Sequence, residues 1–282
     1  MQGIRIRQAG GESAGRGYRQ HPWREAGITR APASRYPAAS PDLSRLSSGR
    51  AAGITLLGDQ FPLDVMKLTG FAVIAVILVT FGITIALYPA VPDTMASHWD
   101  SAGQVNGHAA KSWGLAIVPL IMAGFAGLFA LIPRIDPLRK NYEKFQRYYD
   151  GFVLLFTLYM LVVQLQIILW NTGYPVSPNL TFPLLTGILV IYVGFLIGHA
   201  EPNWFVGIRT PWTLSSETVW KKTHEAGGKL FKIAGLICLA GVLAGRYALW
   251  FILVPVLAVA AYTVVYSYIL YQDEMKKSGR PD

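Results

Sequence analysis

The sequence predicts an all-α fold, a polytopic membrane bundle of about six transmembrane helices with both termini in the cytoplasm. Of the 282 residues, 52% are hydrophobic and only 15% are charged, whereas soluble domains carry about 25% charged residues. The apolar residues also form long uncharged runs, and roughly 18 such residues in a row are typical of a membrane-spanning helix. A helix satisfies its own backbone hydrogen bonds in hydrocarbon, which an open strand does not.

Residues 1–65 differ in composition from the rest of the chain. They contain nine arginines and no lysine, with many Gly, Ala, Ser and Pro residues. Such a segment buries too little apolar surface to offset the entropy of ordering, so we expect a disordered tail. Met66 stands just before the first hydrophobic run, which suggests that it is the natural start and that the tail is a gene-model extension.

Six hydrophobic runs follow the tail, at residues 68–90, 113–133, 151–170, 180–198, 230–245 and 247–271. They divide the chain into a first span with its outer loop (66–112), spans two to four (113–199), and an inner loop with spans five and six (200–282). Gln164 and Gln166 lie inside the third span. We expect them to bond between helices rather than to line a substrate path.

The positive charges predict the orientation in the membrane. With the N-terminus inside, the inner segments carry 23 of the 25 Lys and Arg residues, and the outer segments carry only Lys111 and Arg246. Because Lys and Arg collect on the cytoplasmic side, both termini are expected there, in the cell membrane. The same rule accounts for the net charge of +9, so we expect the lipid bilayer as a partner and no direct binding of nucleic acid.

The outer loop, residues 91–113, concentrates groups that bind ligands. His98, Asp100 and Lys111 are candidates for contact with an extracellular ligand. His98, Asp100 and His108 could also supply three zinc ligands, although their spacing follows no established metal motif. The alternative is a glycine-rich polar turn whose His and Asp side chains bond to the backbone, so we expect no cofactor.

The inner loop, residues 201–229, is polar and aromatic between two apolar runs. Arg209 lies in a stiff turn between Gly207 and Pro211, where a guanidinium could hold a carboxylate, a lipid phosphate or a partner's backbone. The other interpretation is an ordinary cytoplasmic arginine. Trp204, Trp212 and Trp220 suit the headgroup layer of a membrane.

A short amphipathic helix is predicted within this inner loop. Thr213 or Ser215 would cap it, and the glycines at 227 and 228 would close it. Val219, Trp220 and Thr223 would share one face of the helix. Trp212, Trp220 and His224 are further candidates for contact with a ligand or partner.

The two loops together resemble the SdpI family of multi-span membrane proteins of bacteria and archaea. The inner stretch NWFVGIRTPWTL (203–214), with Val219-Trp220 and Thr223-His224, resembles the family's C-terminal signature. The outer loop is similar to the domain of unknown function that commonly precedes it, through Pro92, His98-Trp99-Asp100, Gly103, Gly107 and Lys111. Asn106 and His108 depart from that pattern, where an Asp and an aromatic residue are common.

The resemblance implies an immunity and signal-transduction protein that protects against, or senses, a membrane-active peptide toxin. It further implies a cytoplasmic transcriptional repressor as a partner, held at the membrane when the toxin is engaged. A membrane-embedded metal-dependent hydrolase that uses the His, Asp and Glu residues of the loops is the alternative. The sequence contains no H-E-x-x-H, G-x-S-x-G or P-loop motif, so we expect no catalytic residues.

Overall fold

The computed structural model of the protein describes residues 61–278, with side chains from Leu68 onward. A helix begins at Phe61, within the last five residues of the predicted tail. The rest of that tail, residues 1–60, lies outside the described residues.

The described part of the chain contains seven α-helices, one β-hairpin and four three-residue 3-10 helices. In chain order the α-helices and strands are α1 (Phe61–Leu87), β1 (Thr94–Trp99), β2 (Val105–Ala110), α2 (Lys111–Ile135), α3 (Tyr142–Asn171), α4 (Pro178–His199), α5 (Pro211–Ser215), α6 (Glu217–Ala240) and α7 (Ala248–Ser278). Every α-helix except the short α5 is long and apolar enough to cross a membrane. The predicted polytopic helix bundle with six spans is therefore confirmed.

The connections alternate between two ends of the bundle. At one end lie the hairpin (residues 94–110) and the connections 172–177 and 241–247, and we call this the hairpin end. At the other end lie the connections 136–141 and 200–216, of which residues 200–216 are the signature loop. Which end faces the cytoplasm stays a prediction.

Helix α3 begins earlier than the predicted third span. Tyr142, Phe145 and Tyr149 follow one another at helical spacing and are each at most 4% exposed. They pack against Ile132 of α2 and Leu196 of α4. Neighbouring helices bury this aromatic face. The helix therefore starts before the uncharged run from which the third span was predicted.

Glycines bring α4 and α6 into close contact. A Cβ atom on Gly194 would lie 2.7 Å from the Gly228 carbonyl oxygen, and one on Gly228 would lie 2.8 Å from the Gly194 oxygen. The predicted helix end at residues 227–228 is therefore wrong. Small residues let two helices approach closely, so these glycines serve packing in the middle of a 24-residue helix.

Gln164 ties three spans together. Its side chain is fully buried, and its Nε2 donates to Thr84 Oγ1 of α1 and to the Leu115 carbonyl of α2, both at 3.0 Å. This is the interhelical bonding that the sequence predicts for Gln164. It holds α3 against the first two spans at the hairpin end.

Candidate functional site

The outer loop folds as an antiparallel hairpin, whereas the sequence indicates a glycine-rich polar turn. Strand β1 pairs with β2 from Thr94↔Ala110 to Trp99↔Val105. Asn171, the last residue of α3, accepts the Ala96 N–H at 2.7 Å and donates to the Ala96 carbonyl at 3.0 Å. One amide side chain thus extends the ladder and fixes the hairpin to the end of α3.

The predicted metal ligands are engaged within the hairpin. His98 Nδ1 lies 2.6 Å from Asn106 Oδ1. Asp100 Oδ1 accepts the backbone N–H groups of Ala102 and Gln104, both at 2.9 Å, and so shapes the turn. Among residues 68–278, whose side chains the structure describes, no group of three or more His, Cys, Asp or Glu residues could hold a metal ion. The structure therefore gives no support there to a zinc triad of His98, Asp100 and His108.

Lys111 lies at the base of the hairpin, away from the turn at Asp100. Its backbone N–H donates to the Asp93 carbonyl at 2.9 Å, and its Nζ is 3.6 Å from Asp93 Oδ1. The same ammonium lies 4.7 Å from the centre of the Tyr88 ring, a cation–π distance. Lys111 therefore closes the hairpin base, and the structure does not group it with His98 and Asp100 in one cluster.

The signature loop is held by two buried polar side chains. Asn203 is fully buried and accepts the N–H groups of Phe205 and Val206 at 2.9 and 2.6 Å. Asp136, which is 2% exposed, accepts the Trp204 N–H at 2.9 Å from the α2–α3 connection. The loop is therefore a fixed structure, because its buried backbone donors have protein partners.

Trp220 and His224 form the centre of this end. Trp220 is 2% exposed, and its Nε1 donates to the Ala200 carbonyl at 2.8 Å. His224 stacks on it with ring centres 3.9 Å apart. Its Nε2 accepts the Ile208 N–H at 3.0 Å, while Nδ1 lies 2.8 Å from the Trp220 carbonyl. Trp220 thus packs inside the protein, and its predicted place among lipid headgroups is wrong.

The hydrogen bonds of His224 determine its protonation. An acceptor at Nε2 has no proton, so Nδ1 must carry the ring's proton and donate to the Trp220 carbonyl. Gly207 makes room for the ring, since its φ is +115° and any Cβ there would collide with His224 Nε2. His224 is therefore a neutral histidine whose hydrogen bonds act as a brace between α6 and the signature loop.

Arg209 and Trp212 lie at the edge of the signature loop. Arg209 is exposed and its Nη1 donates to the Trp204 carbonyl within the same loop. Trp212 meets Tyr268 of α7 edge-to-face at 5.1 Å. These contacts place both side chains beside the loop tip and α7, without bringing them to the Trp220–His224 pair.

The helix caps in this region differ from the prediction. Thr210 Oγ1 accepts the Thr213 N–H and caps α5. Ser216 Oγ accepts the Val219 N–H and caps α6. The predicted caps, Thr213 and Ser215, lie inside α5 instead. Proline at the first position of α5 fixes where that helix begins.

A cavity of about 480 Å³ lies beneath the hairpin. Strand β1 and the turn after it cover it, and residues of α2, α3, α4 and α7 line its walls. His98 and Asp100 stand at its hairpin side, whereas Trp99 and Gln166 also line it. The structure therefore connects two of the candidate ligand residues to a partly open cavity between the helices.

Comparison with known proteins agrees with this architecture. A model described as the SdpI/YfhL protein family matches residues 199–267, and a domain of unknown function, DUF1648, matches residues 75–123. The chain is 30% identical to "Immunity protein SdpI" of Bacillus subtilis (strain 168) over 200 residues, 71% of this chain and 94% of that protein. The chain belongs to the SdpI family. No solved structure matches it.

Membership in the SdpI family and the six apolar helices make this a multi-pass protein of the plasma membrane. The two matched ranges cover the hairpin and the signature loop, the two regions singled out in the sequence. The range 199–267 holds Trp220, His224 and the buried Asn203, and the range 75–123 holds the whole hairpin.

Three residues that hold the two ends of this SdpI-family protein together lie outside both matched ranges. They are Asp136, Gln166 and Asn171. Gln166 could be singled out from the sequence, because it is a polar residue inside an apolar run. Asp136 and Asn171 stand at helix ends, where polar residues are ordinary, so their long-range bonds could not be inferred from one sequence.

Proposed function

We propose that the chain is an immunity protein that protects its host membrane from a secreted membrane-active peptide. The observation that carries this proposal is the 30% identity to the Bacillus subtilis immunity protein across 94% of that protein's length. A likeness over 200 residues supports a shared role more strongly than one matched motif would.

We infer that the hairpin end faces outward and meets the peptide first. The distribution of Lys and Arg supports this orientation. The hairpin is fixed to α3 by Asn171 and closed at its base by Lys111, so it presents His98 and Asp100 on a rigid support. A rigid recognition surface loses less entropy on binding than a mobile loop does.

The signature loop would then face the cytoplasm. Its tip exposes Trp204, which is 53% exposed, beside Arg209. An exposed aromatic next to a cation suits contact with a protein partner or with headgroups. A cytoplasmic repressor as that partner stays a prediction from the family resemblance.

A peptide challenge tests the proposal. A sensitive bacterial host, with or without the chain, is exposed to purified membrane-permeabilising peptides, and membrane depolarisation and survival are recorded. An unrelated six-span membrane protein at the same expression level is the control for membrane load. We expect the chain to protect against at least one peptide, and equal killing in all hosts would overturn the immunity role.

A further inference from the structure

We propose that a groove at the signature-loop end binds the headgroup of a phospholipid that carries both a phosphate and a primary ammonium group. The groove has a volume of about 530 Å³ and is lined by residues of α3, α4 and α6. We call it the α3–α4–α6 groove. It lies at the opposite end of the bundle from the hairpin, and the inference does not depend on the proposed immunity role.

The groove continues a lipid-facing surface of α4. Leu184, Ile188 and Phe195 are 45%, 43% and 42% exposed, and their spacing places them on one face of the helix. Exposed apolar side chains of a membrane-spanning helix contact lipid tails. His199 lies four residues after Phe195, at the end of the same face, and lines the groove. The groove therefore lies where lipid tails give way to headgroups.

A chain of contacts fixes the orientation of Arg147 in this groove. Arg147 Nη2 donates to Tyr148 Oη at 2.7 Å, and its guanidinium lies 4.6 Å from the centre of the Tyr148 ring. That ring stacks on His199 with centres 3.8 Å apart, and its hydroxyl is 2.9 Å from His199 Nε2. Because His199 Nδ1 is bonded in turn to the Phe195 carbonyl, the guanidinium is held in place before any ligand binds, which lowers the entropy lost on binding.

Arg147 has the chemistry of a phosphate ligand. It is exposed and lines the groove. A guanidinium carries five N–H donors in a planar fork that matches two phosphate oxygens, and the bond to Tyr148 uses one of them. Lys221 of α6 lines the same groove and adds a second positive charge. A phosphate at the level of His199 would therefore meet a preorganised cation.

Two carboxylates line the same groove farther from the membrane. They are Glu201 and Glu217. Lys144 Nζ is 4.0 Å from Glu201 Oε2, and Lys144 precedes Arg147 by three residues of α3, which places Glu201 about 4.5 Å farther out than Arg147. Glu217 is the first residue of α6 and lies at the outer end of that helix. A ligand with its phosphate at Arg147 would therefore place its outer part beside these carboxylates.

This order of charges favours an ethanolamine headgroup over other ligands. In phosphatidylethanolamine the phosphate adjoins the glycerol and the ammonium lies beyond it, in the same order as Arg147 and the two carboxylates. A choline headgroup has no N–H to donate, and a glycerol headgroup leaves the carboxylates without a positive partner. A soluble phosphate compound would use the cations but would leave the apolar face of α4 unused.

Native mass spectrometry of the full chain in detergent tests the proposal. The chain is titrated with phosphatidylethanolamine, phosphatidylcholine and phosphatidylglycerol that have identical acyl chains, and the affinity for the first bound lipid is measured. We expect the ethanolamine lipid to bind about three- to tenfold more tightly than either of the others, the difference made by about one hydrogen bond.

An arginine variant assigns the phosphate to Arg147. Arg147→Gln should weaken binding of the ethanolamine and choline lipids alike, about three- to tenfold, because both carry the phosphate. Arg246→Gln is the matched control. Arg246 donates to the Tyr247 hydroxyl at 2.8 Å and lies 4.9 Å from the centre of that ring, at the hairpin end. It repeats the Arg–Tyr contact outside the groove, so its variant should bind as the natural chain does.

A double variant assigns the ammonium to the carboxylates. Glu201→Gln combined with Glu217→Gln should bind the ethanolamine and choline lipids equally, and its binding of the choline lipid shows that the groove still forms. Glu143→Gln combined with Asp273→Asn is the control, because both carboxylates are exposed at the same end of the bundle and lie outside the lining of the groove. That control should keep the preference for ethanolamine.

Several results would overturn the inference. They are equal binding of the three lipids, tighter binding of phosphatidylglycerol, equal affinities of Arg147→Gln and Arg246→Gln, and a preference for ethanolamine that survives in the double variant of Glu201 and Glu217. Soluble phosphoethanolamine, added at the concentration of the lipid, should leave the lipid bound. Displacement of the lipid by it would show a site for a soluble phosphate compound instead.

Discussion

Replacing His224 with phenylalanine should release the signature loop while leaving the bundle folded. His224 is 2% exposed and carries a stacking contact and two hydrogen bonds. Phenylalanine keeps a flat ring of similar size on Trp220. The change therefore removes the bonds of the imidazole nitrogens and little of its packing.

The main energetic effect of the substitution is that the backbone N–H of Ile208 loses its hydrogen-bond acceptor. Its N–H group donates to His224 Nε2 at 3.0 Å, and in the variant that half-buried donor has no partner. A donor left unsatisfied in this way costs about 1–3 kcal/mol. The Trp220 carbonyl loses less, because a carbonyl four residues earlier in a helix also accepts the backbone N–H of residue 224.

Hydrogen exchange measured by mass spectrometry on detergent-solubilised protein detects the lost stability of the signature loop segment by segment. A cost of about 1–3 kcal/mol corresponds to exchange about 5- to 150-fold faster for the amides of residues 203–210. His108→Phe is the matched control, because His108 is exposed on β2. Unchanged exchange in the loop of His224→Phe, or equal acceleration in the control, would refute the role of His224 as a brace.

Two further variants test the packing at each end. Gly228→Val should lower the melting temperature, because its side chain would meet the backbone of α4 at 2.8 Å and overpacking costs about 1–3 kcal/mol. Gly124→Val is the control, because a Cβ there meets nothing within 4 Å, and it should leave the melting temperature unchanged. Equal melting temperatures of the two variants would contradict the close approach of α4 and α6. Asn171→Leu should loosen the hairpin, because it removes hydrogen bonds worth about 0.5–1.5 kcal/mol each. A cysteine placed at the fully buried Met95 should then react with a maleimide at least about threefold faster than the same cysteine in a chain that keeps Asn171. An unchanged reaction rate would mean that other contacts hold β1.

The spans could be predicted because lipid imposes one requirement on every segment. Each crossing must be a long apolar helix, and the predicted run 68–90 coincides with the apolar span Leu68–Ala90, although α1 itself begins at Phe61. Residues 230–245 were a weaker signal, because α6 begins at Glu217 with the polar residues that the sequence places in the inner loop. Its glycines were interpreted as a helix end, since their packing partner, Gly194, lies on another helix.

The site was less accessible to prediction than the fold. Val219, Trp220 and Thr223 were placed on one face from spacing alone, and all three are buried. The hairpin was missed, because its strands are short and small residues obscure their alternation. Asn171 and Asp136 act on segments 75 and 68 residues away in the chain, and such pairings leave no local trace in a single sequence.

The orientation of the two loops is the central claim, and accessibility to a reagent that does not cross membranes tests it most directly. In a Cys238→Ala background, one variant carries a cysteine at Ser101 in the hairpin turn and another at Phe205 in the signature loop, both exposed positions. We predict that intact cells label the variant at Ser101, and that the variant at Phe205 is labelled only after permeabilisation. Labelling of the Phe205 variant in intact cells with protection of the Ser101 variant would contradict the account.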